Sequence, residues 1–245
     1  MAADLTCCSG KHQRRGMNVL VIASSFGRQV RASPALPGNC PRLPRPGVAR
    51  NPVVWHGPGI NNQRMHEVRL SDGTITLSPL RVDDVEAHLA GEDELLVRWL
   101  NGGPGTREGV EAYVRHCRDQ WATAGPLRAF GIRTGADEVL AGTVDLRFAG
   151  PGLAPGQVNV AYGLYPSWRG RGLATRAVLL VSRYAAREGG AEAVIQVEPE
   201  NPASAAVAQR AGFTLCEPTR RTNDTRFDWY IRDLHDLARR QPTGT

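Results

Sequence analysis

Two arginines and two glycines alternate over residues 169–172 (RGRG), directly before a candidate helix. Glycines at a strand-to-helix turn allow a ligand to approach the backbone closely. The first N–H groups of a helix have no internal partner and carry the positive end of its dipole, so they suit an anion such as a pyrophosphate. The arginines add mobile positive charge. The stretch therefore favours a phosphate-binding turn over contact with base edges, with a solvated surface turn as the alternative.

The spacing of these glycines does not match the common nucleotide-binding motifs. A dinucleotide fingerprint needs a third glycine and an acidic residue about 20 residues downstream. A nucleoside-triphosphate loop needs the sequence Gly-Lys-Ser/Thr, which does not occur at this turn. Neither motif accounts for the RGRG turn.

The elements around the turn follow from hydrophobic periodicity. Val158–Leu164 predicts a strand before it, and Ala193–Val197 predicts a short strand that is covered on both faces. Between them, one helix that stops at glycines 189 and 190 is predicted by apolar residues at helical spacing, which are Leu173, Ala177, Leu180, Val181 and Tyr184. A strand, a helix and a strand in this order predict a parallel pair inside an otherwise antiparallel sheet.

Upstream of the turn, the pattern predicts a strand, two helices and a hairpin. The strand is Thr74–Leu80, and either Asp83 or Asp84 caps the first helix, which Gly91 ends. Thr106 caps the second helix, whose buried stripe comprises Val110, Tyr113, Val114, Cys117 and Trp121. The hairpin strands are predicted over residues 128–133 and 139–148.

Downstream of the parallel pair, one more helix and one more strand are predicted. Asn201 caps the helix, with Pro202 at its first position and Gly212 at its left-handed stop. Phe227–Ile231 predicts a late strand.

Positive charge is concentrated at the amino end of the chain. The formal net charge is +6, yet residues 1–64 hold nine basic residues and one acidic residue. The other residues hold 21 basic and 23 acidic side chains, so nucleic acid is an unexpected partner for the body. Seven prolines and seven glycines without periodicity predict that residues 1–64 are a disordered extension, with Met65 as an alternative start. Residues 66–235 are predicted to form one domain, and residues 236–245 a flexible tail.

Composition also limits the expected location and partners of the protein. Its apolar runs are far shorter than the roughly 18 residues that span a membrane. The five cysteines, at 7, 8, 40, 117 and 216, show no CxxC or CxxH spacing, which argues against a zinc site and against a disulfide framework. We expect no metal and no membrane partner, a cytoplasmic location, and a monomer or homodimer.

Several segments together closely resemble the GNAT superfamily of N-acetyltransferases, and within it the branch of ribosomal-protein alanine acetyltransferases. They are YPSWRGRGLATRAVLL (165–180), VEPENPASAAVAQRAGF (197–213), TITLSPLRVDDVEAHL (74–89), AFGIR and AGTVDL. The family's acetyl-CoA signature is matched by Arg169, Gly172 and Ala174. Asn201, Ser204 and the closing Gly212-Phe213 lie at their expected positions, so that the resemblance covers roughly residues 66–232.

The resemblance implies an α/β (α+β) fold with a mixed, mostly antiparallel sheet, flanking helices, and fourth and fifth strands that splay apart. Acetyl-CoA would lie in that gap as co-substrate. The residues implied to bind it are Tyr162, Gly163, Leu164, Arg169, Gly170, Arg171, Gly172, Leu173, Ala174, Asn201 and Ser204. Asn201 as a plain helix cap and Ser204 as a packing residue are the alternatives.

The implied reaction is acetyl transfer to a primary amine, of a small molecule or a protein N-terminus, by direct attack in a ternary complex. A non-catalytic acyl-CoA-binding protein, or a nucleic-acid-associated regulator that uses the Arg-rich tail, is the alternative. Acidic runs at 83–84 and 92–94 could attract a cationic acceptor or form a solvated face.

Relatives often carry a Glu in the fourth strand, three residues before a Tyr that corresponds to Tyr162. Asn159 occupies that position and cannot act as a base. The remaining candidate bases are Glu198, Glu200 and Asp145. Tyr162 and Tyr165 are candidates to protonate the thiolate, and a chain of ordered water is the alternative to any single base.

Overall fold

The computed structural model describes residues 68–216, 220–222 and 225–239. The extension predicted over residues 1–64 and the alternative start at Met65 lie outside the described residues, so both stay predictions. Within the described ranges, no helix is both long and apolar enough to cross a membrane.

Short strands and helices make up the first half of the domain. They are β1 (Leu70–Ser71), β2 (Ile75–Pro79), α1 (Asp84–Gly91), α2 (Glu94–Leu96) and α3 (Arg107–Ala122). α2 continues as a π-helical turn, Val97–Asn101, that sequence periodicity did not predict. Such turns are frequent at functional sites.

The second half contains most of the sheet. Its elements are β3 (Leu127–Thr134), β4 (Val139–Arg147), β5 (Gln157–Leu164), α4 (Leu173–Arg187), β6 (Glu192–Val197), α5 (Pro202–Arg210), β7 (Thr214–Leu215), β8 (Arg220–Thr222), β9 (Thr225–Asp233) and α6 (His235–Arg239). The main predicted strands and helices are confirmed to within a few residues. α6 begins at the last residue of the predicted domain and continues over residues 236–239 of the predicted tail, and Leu237 on it packs against the core.

Two predicted helix caps are confirmed by hydrogen bonds. The Thr106 hydroxyl accepts from the Gly109 N–H at 3.1 Å, and the Asn201 side chain accepts from the Ser204 N–H at 3.1 Å. Each bond satisfies one N–H group that the first helical turn leaves without a partner.

The first turn of α1 is built differently from the predicted cap. Asp83 makes no capping bond, and Asp84 lies inside the helix, where it accepts from the Arg81 N–H at 2.7 Å. The same carboxylate binds both terminal nitrogens of buried Arg133 at 2.8 and 2.9 Å. Asp84 is therefore a structural ion-pair partner and does not belong to a solvated acidic face.

The strands form one mixed sheet in the order β1-β2-β3-β4-β5-β6-β9-β7, and β8 pairs with β9. The pair β5–β6 is parallel, and the other pairs are antiparallel. β5 and β6 are the fourth and fifth strands of the predicted fold, because the short strand β1 was not foreseen. Their parallel pairing confirms the prediction.

β5 and β6 separate after three residues. Only residues 157–159 of β5 pair with residues 192–194 of β6, although β5 pairs with β4 as far as Leu164. The predicted splay is confirmed, and it leaves one edge of residues 160–164 open toward β6.

Each face of the sheet carries its own hydrophobic core. On one face, apolar residues such as Val144 and Val160 pack against Val178 and Val181 of α4. On the other face, Leu127 and Ala129 pack against the stripe of α3 and against Val85 of α1. We call the first the α4 face and the second the α3 face.

The two described cysteines differ in their state. Cys117 is a buried free thiol on α3, whereas Cys216 is engaged in a disulfide.

Candidate functional site

The RGRG turn joins β5 to α4 through backbone that only glycine adopts easily. Gly170 and Gly172 have φ values of +74° and +75°, and a Cβ at either position would meet nothing within 4 Å. The first bond within the helix is donated by the Arg176 N–H to the Gly172 carbonyl at 3.2 Å. The N–H groups of residues 173–175 precede that bond, so they are available to an anion that enters the open space.

Arg169 does not supply the mobile charge that the sequence suggested. Its guanidinium donates to both carboxylate oxygens of Asp93 at 2.7 and 2.8 Å, and its Nε donates to the Leu164 carbonyl at 2.9 Å. The Arg171 guanidinium instead lies 5.1 Å from the ring centre of Trp168. Arg169 therefore fixes the turn, while Arg171 is the exposed cation beside it.

Asp93 also has a structural role in these contacts. Its side chain also accepts from the Leu96 N–H at 3.1 Å, as the cap of α2. Its neighbour Glu92 accepts from the Asn101 amide at 2.5 Å and from the Gly105 N–H at 2.6 Å. Glu92 and Asp93 thus hold the backbone of the α2 region, which neither sequence alternative foresaw.

α2 packs directly on β5 beside the splay. A Cβ built on Gly163 would lie 2.6 Å from Leu96 and 2.9 Å from Leu100, so only glycine allows this approach. At the end of α1, Gly91 packs on the ring of Tyr165 in the same way. The α1–α2 region, the end of β5 and the RGRG turn therefore form one packed unit.

Tyr162 and Ser204 connect the two sides of the gap on the α4 face. The Tyr162 hydroxyl lies 2.9 Å from the Ser204 hydroxyl and donates to the Ser204 carbonyl at 3.1 Å. Burial raises the pKa of Tyr162 to about 12, so the phenol is neutral at physiological pH. Two predicted binding residues are thereby brought together, and Tyr162 is available as a proton donor and not as a base.

A small polar pocket lies on the α3 face, one strand from the gap. Its lining comes from α1, the π-helical turn, α3, β4 and β5, and comprises His88, Leu100, Asn101, Tyr113, Thr143, Asp145 and Ala161. Sequence reasoning named only Asp145 of these as a functional candidate. A tyrosine within the apolar stripe of α3 was the one further signal of a polar cluster.

Asp145 is the charged residue of this pocket. It is 4% exposed, and Tyr113 donates to its two oxygens at 3.1 and 3.3 Å. Arg147 lies 3.9 Å away, beyond hydrogen-bond distance. Burial raises the pKa of Asp145, and the Arg147 charge and the Tyr113 bond only partly offset that effect.

Burial keeps three further titratable groups near the pocket neutral. Burial lowers the pKa of His88, whose Nδ1 lies 2.9 Å from the Tyr165 hydroxyl in a hydrogen bond. Burial raises the pKa values of Tyr113 and Cys117, so both keep their protons.

Glu198 lies apart from Asp145, just after β6. Burial raises its pKa, the Glu200 charge raises it further, and the Arg98 charge opposes both. Its backbone carbonyl accepts from the Asn201 N–H at 2.8 Å.

The sheet separates Tyr162 from Asp145. Asp145 pairs with Ala161 in the register of β4 and β5, whereas Tyr162 pairs with Val144. Because side chains alternate along a strand, the Tyr162 phenol and the Asp145 carboxylate lie on opposite faces. Glu198, Asp145 and Tyr162 therefore do not form one cluster.

Asn159 lies on the same face as Asp145. In the described part of the chain, its buried Oδ1 has no hydrogen-bond partner. Its cross-strand neighbour is Arg147, two residues from Asp145 along β4.

Comparison with known proteins assigns the family. The sequence model described as "Acetyltransferase (GNAT) domain" matches residues 74–214, more than half of the chain. The chain belongs to the GNAT acetyltransferase family. This confirms the resemblance and makes the protein an acetyltransferase by family. No curated protein matches the sequence.

Solved GNAT structures show the same fold at low sequence identity. An acetyltransferase from Agrobacterium tumefaciens is 25% identical, with a TM-score of 0.56, and the match covers 67% of this chain and 94% of that one. RimL, a ribosomal L7/L12 α-N-protein acetyltransferase in complex with coenzyme A, is 20% identical with a TM-score of 0.57, over 68% and 98% of the chains. AAC(6')-Ib, in complex with paromomycin and acetyl-CoA, is 16% identical with a TM-score of 0.55, over 70% and 99%.

Among the residues that the structure describes, no group of three or more His, Cys, Asp or Glu side chains could hold a metal ion.

Proposed function

We propose that this GNAT protein transfers an acetyl group from acetyl-CoA to a primary amine by direct attack in a ternary complex. The observation that carries the proposal is the junction of the splayed strands with the glycine turn. An open edge of β5 over residues 160–164 leads directly to unpaired N–H groups at the start of α4. This combination fits an elongated ligand with a phosphate at one end and an extended arm that can pair with a strand.

The residues present fit acetyl-CoA. The space around Gly170 and Gly172 is open, so the turn can receive the pyrophosphate on the N–H groups of residues 170–174. The arm would hydrogen-bond the backbone of Tyr162, Gly163 and Leu164 at the open edge. Asn201 and Ser204 border the other side of the gap, since Ser204 bonds Tyr162.

Arg169 and Arg171 serve this site in different ways. Arg169 holds the turn in shape through Asp93 and Leu164. Arg171 is the side chain that can reach a phosphate, at a typical gain of about 1–3 kcal/mol for a charge-assisted hydrogen bond.

The chemistry asks the protein for positioning and for proton movement. The amine nitrogen must lose a proton before it attacks the thioester carbon, and the departing sulfur must gain one. Asp145 and Glu198 are the candidate bases, and neutral Tyr162 is the candidate acid.

RimL and AAC(6')-Ib bracket the classes of acceptor, from a protein N-terminus to an aminoglycoside. We propose a primary amine of either class, in the cytoplasm, where acetyl-CoA is available. The protein would act as a monomer or a homodimer, with nucleic acid an unexpected partner.

The experiment is a CoA-release assay with acetyl-CoA and a panel of amines: aminoglycosides, amino acids, polyamines and ribosomal-protein peptides. An acetyltransferase releases thiol only with its acceptor present. Acetyl-CoA binding without thiol release would favour the acyl-CoA-binding alternative. Absence of acetyl-CoA binding would contradict the proposal.

A further inference from the structure

The pocket on the α3 face has a feature that acetyl-CoA binding leaves unexplained. Asp145 is a buried carboxylate, and Tyr113 is its only hydrogen-bond donor within the described part of the chain. A buried carboxylate is costly unless hydrogen-bonded cations or several donors surround it. The Arg147 guanidinium, at 3.9 Å, does not complete that shell.

The remaining lining of the pocket is uncharged. His88 and Tyr113 are neutral, because burial lowers the pKa of His88 and raises that of Tyr113. Asn101 and Thr143 are neutral hydrogen-bonding side chains, and Leu100 and Ala161 are apolar. The ionised form of the Asp145 carboxylate, in a small pocket whose other lining residues are uncharged, complements a compact cation with N–H donors, which describes a primary ammonium group.

The pocket lies close to the open edge of β5. Asp145 pairs in register with Ala161, and Thr143 pairs with Gly163, both within the part of β5 whose other edge is open. Neighbouring strands are about 4.8 Å apart, so the carboxylate lies one strand from the gap. Asn159 on the same face lacks the negative charge that would compete for the cation.

We propose that Asp145 binds the ammonium group of the acceptor and takes its proton, in place of the carboxylate that Asn159 lacks. This inference rests on the proposed acetyl transfer. It adds the residue that binds the amine and the class of amines that the site accepts. The ammonium gives one proton to Asp145, which releases it to solvent. The neutral nitrogen forms its bond to the thioester carbon as the carbon–sulfur bond breaks. The second nitrogen proton passes to the departing thiolate, so amide, CoA thiol and one released proton balance the reaction.

The same charge defines which amines are accepted. A carboxylate next to the amine, as in a free α-amino acid, would be repelled by Asp145. Amines without that carboxylate, such as alkylamines, polyamines, aminoglycosides and peptide N-termini, would be accepted. Alanine and alaninamide form a matched pair, because they share the amine and differ in the carboxylate.

The test compares Asp145→Asn with Asp137→Asn, a matched change in the exposed β3–β4 turn. We expect Asp145→Asn to lower kcat/KM for the best amine of the panel by about 100-fold or more, with an unchanged dissociation constant for acetyl-CoA. Asp137→Asn should match wild type. Wild type should prefer alaninamide to alanine, and Asp145→Asn should reduce that preference.

Carboxyl NMR gives a readout independent of turnover. The Asp145 signal, identified by its loss in Asp145→Asn, should titrate at lower pH when alaninamide is added, because an ammonium stabilises the ionised form. Tyr113→Phe keeps the carboxylate but removes its donor. Because that bond lowers the pKa of Asp145, its loss should move the acidic limb of the pH–rate profile to higher pH than in wild type.

Three outcomes would overturn the inference while leaving acetyl transfer intact. They are wild-type turnover by Asp145→Asn, equal use of alanine and alaninamide, and an Asp145 titration that alaninamide does not move. Failure of wild-type protein to bind acetyl-CoA would instead contradict the proposed function itself.

Discussion

The Arg169 guanidinium binds both carboxylate oxygens of Asp93, 76 residues earlier in the chain, at 2.7 and 2.8 Å. This pair ties the RGRG turn to the start of α2. Two further contacts act in the same direction, because α2 packs on Gly163 and His88 bonds Tyr165. The phosphate turn and the polar pocket are therefore held by one set of contacts.

Asp93→Asn distinguishes a structural role of Arg169 in the turn from direct contact of Arg169 with the phosphate. If Arg169 shapes the turn, loss of the charged partner should weaken acetyl-CoA binding several-fold, equivalent to about 1 kcal/mol for a partly buried pair. Calorimetric titration measures this, and Glu94→Gln on the exposed side of α2 is the control. Unchanged or tighter binding would show that freed Arg169 contacts the phosphate itself. The Arg169 bonds lower the pKa of Asp93, so the pair is complete at neutral pH and is lost only as pH falls below 3.8.

Gly172→Val should abolish acetyl-CoA binding without unfolding the domain. The φ of +75° disfavours valine by about 1–2 kcal/mol, and the side chain would occupy the space in front of the helix N–H groups. Gly73→Val is a matched control, since Gly73 has a φ of +84° and equally open surroundings in the β1–β2 turn. Both variants should lose similar stability in thermal unfolding, and only Gly172→Val should lose binding. Equal affinity of the two variants would contradict the phosphate turn.

Asp145→Asn should change the pH dependence of stability. Burial raises the pKa of Asp145 in the folded state, so the carboxyl group keeps its proton to a higher pH there than in the unfolded chain. The stability that protonation contributes is complete below pH 3.8 and is lost as pH rises through the folded-state pKa. The variant does not titrate at this position, so its stability relative to wild type should rise over that window by about 1–3 kcal/mol. Chemical denaturation at several pH values measures the difference, and a flat difference would mean that burial does not perturb Asp145.

His88 should destabilise the protein in mild acid. Burial lowers its pKa from the ordinary 6.5, so the stability that neutral His88 contributes is present above pH 6.5 and lost as pH falls through the folded-state value. His88→Asn removes that loss of stability. Its amide places polar atoms near the former position of Nδ1, where they can hydrogen-bond the Tyr165 hydroxyl. His116→Asn on the exposed side of α3 is the control. The unfolding midpoint of wild type should fall more steeply below pH 6.5 than that of His88→Asn, and parallel curves would contradict a buried neutral histidine.

Local sequence patterns predicted the elements and the turn well. The stripe of α3 and the caps at Thr106 and Asn201 depend on residues a few positions apart, and the structure confirms them. The splay also followed, from the resemblance of the RGRG motif and the strands around it.

Those local patterns could not predict contacts between residues that are far apart in the sequence. Arg169 resembled a free phosphate ligand because its partner Asp93 is separated from it by α3 and three strands. Asp84 resembled a helix cap because its partner Arg133 lies on β3. The pocket draws its lining from five elements, and each of its residues alone is compatible with an ordinary core position.

Hydrogen–deuterium exchange with and without acetyl-CoA is the sharpest test of the proposed acetyl-CoA site, because it locates the ligand on the backbone. The amides of residues 170–175 and of the open edge of β5 over residues 160–164 should exchange more slowly when acetyl-CoA is bound. Exchange of the β1–β2 turn should not change. Binding of acetyl-CoA without protection of the RGRG turn, or with protection confined to other segments, would contradict the proposed site.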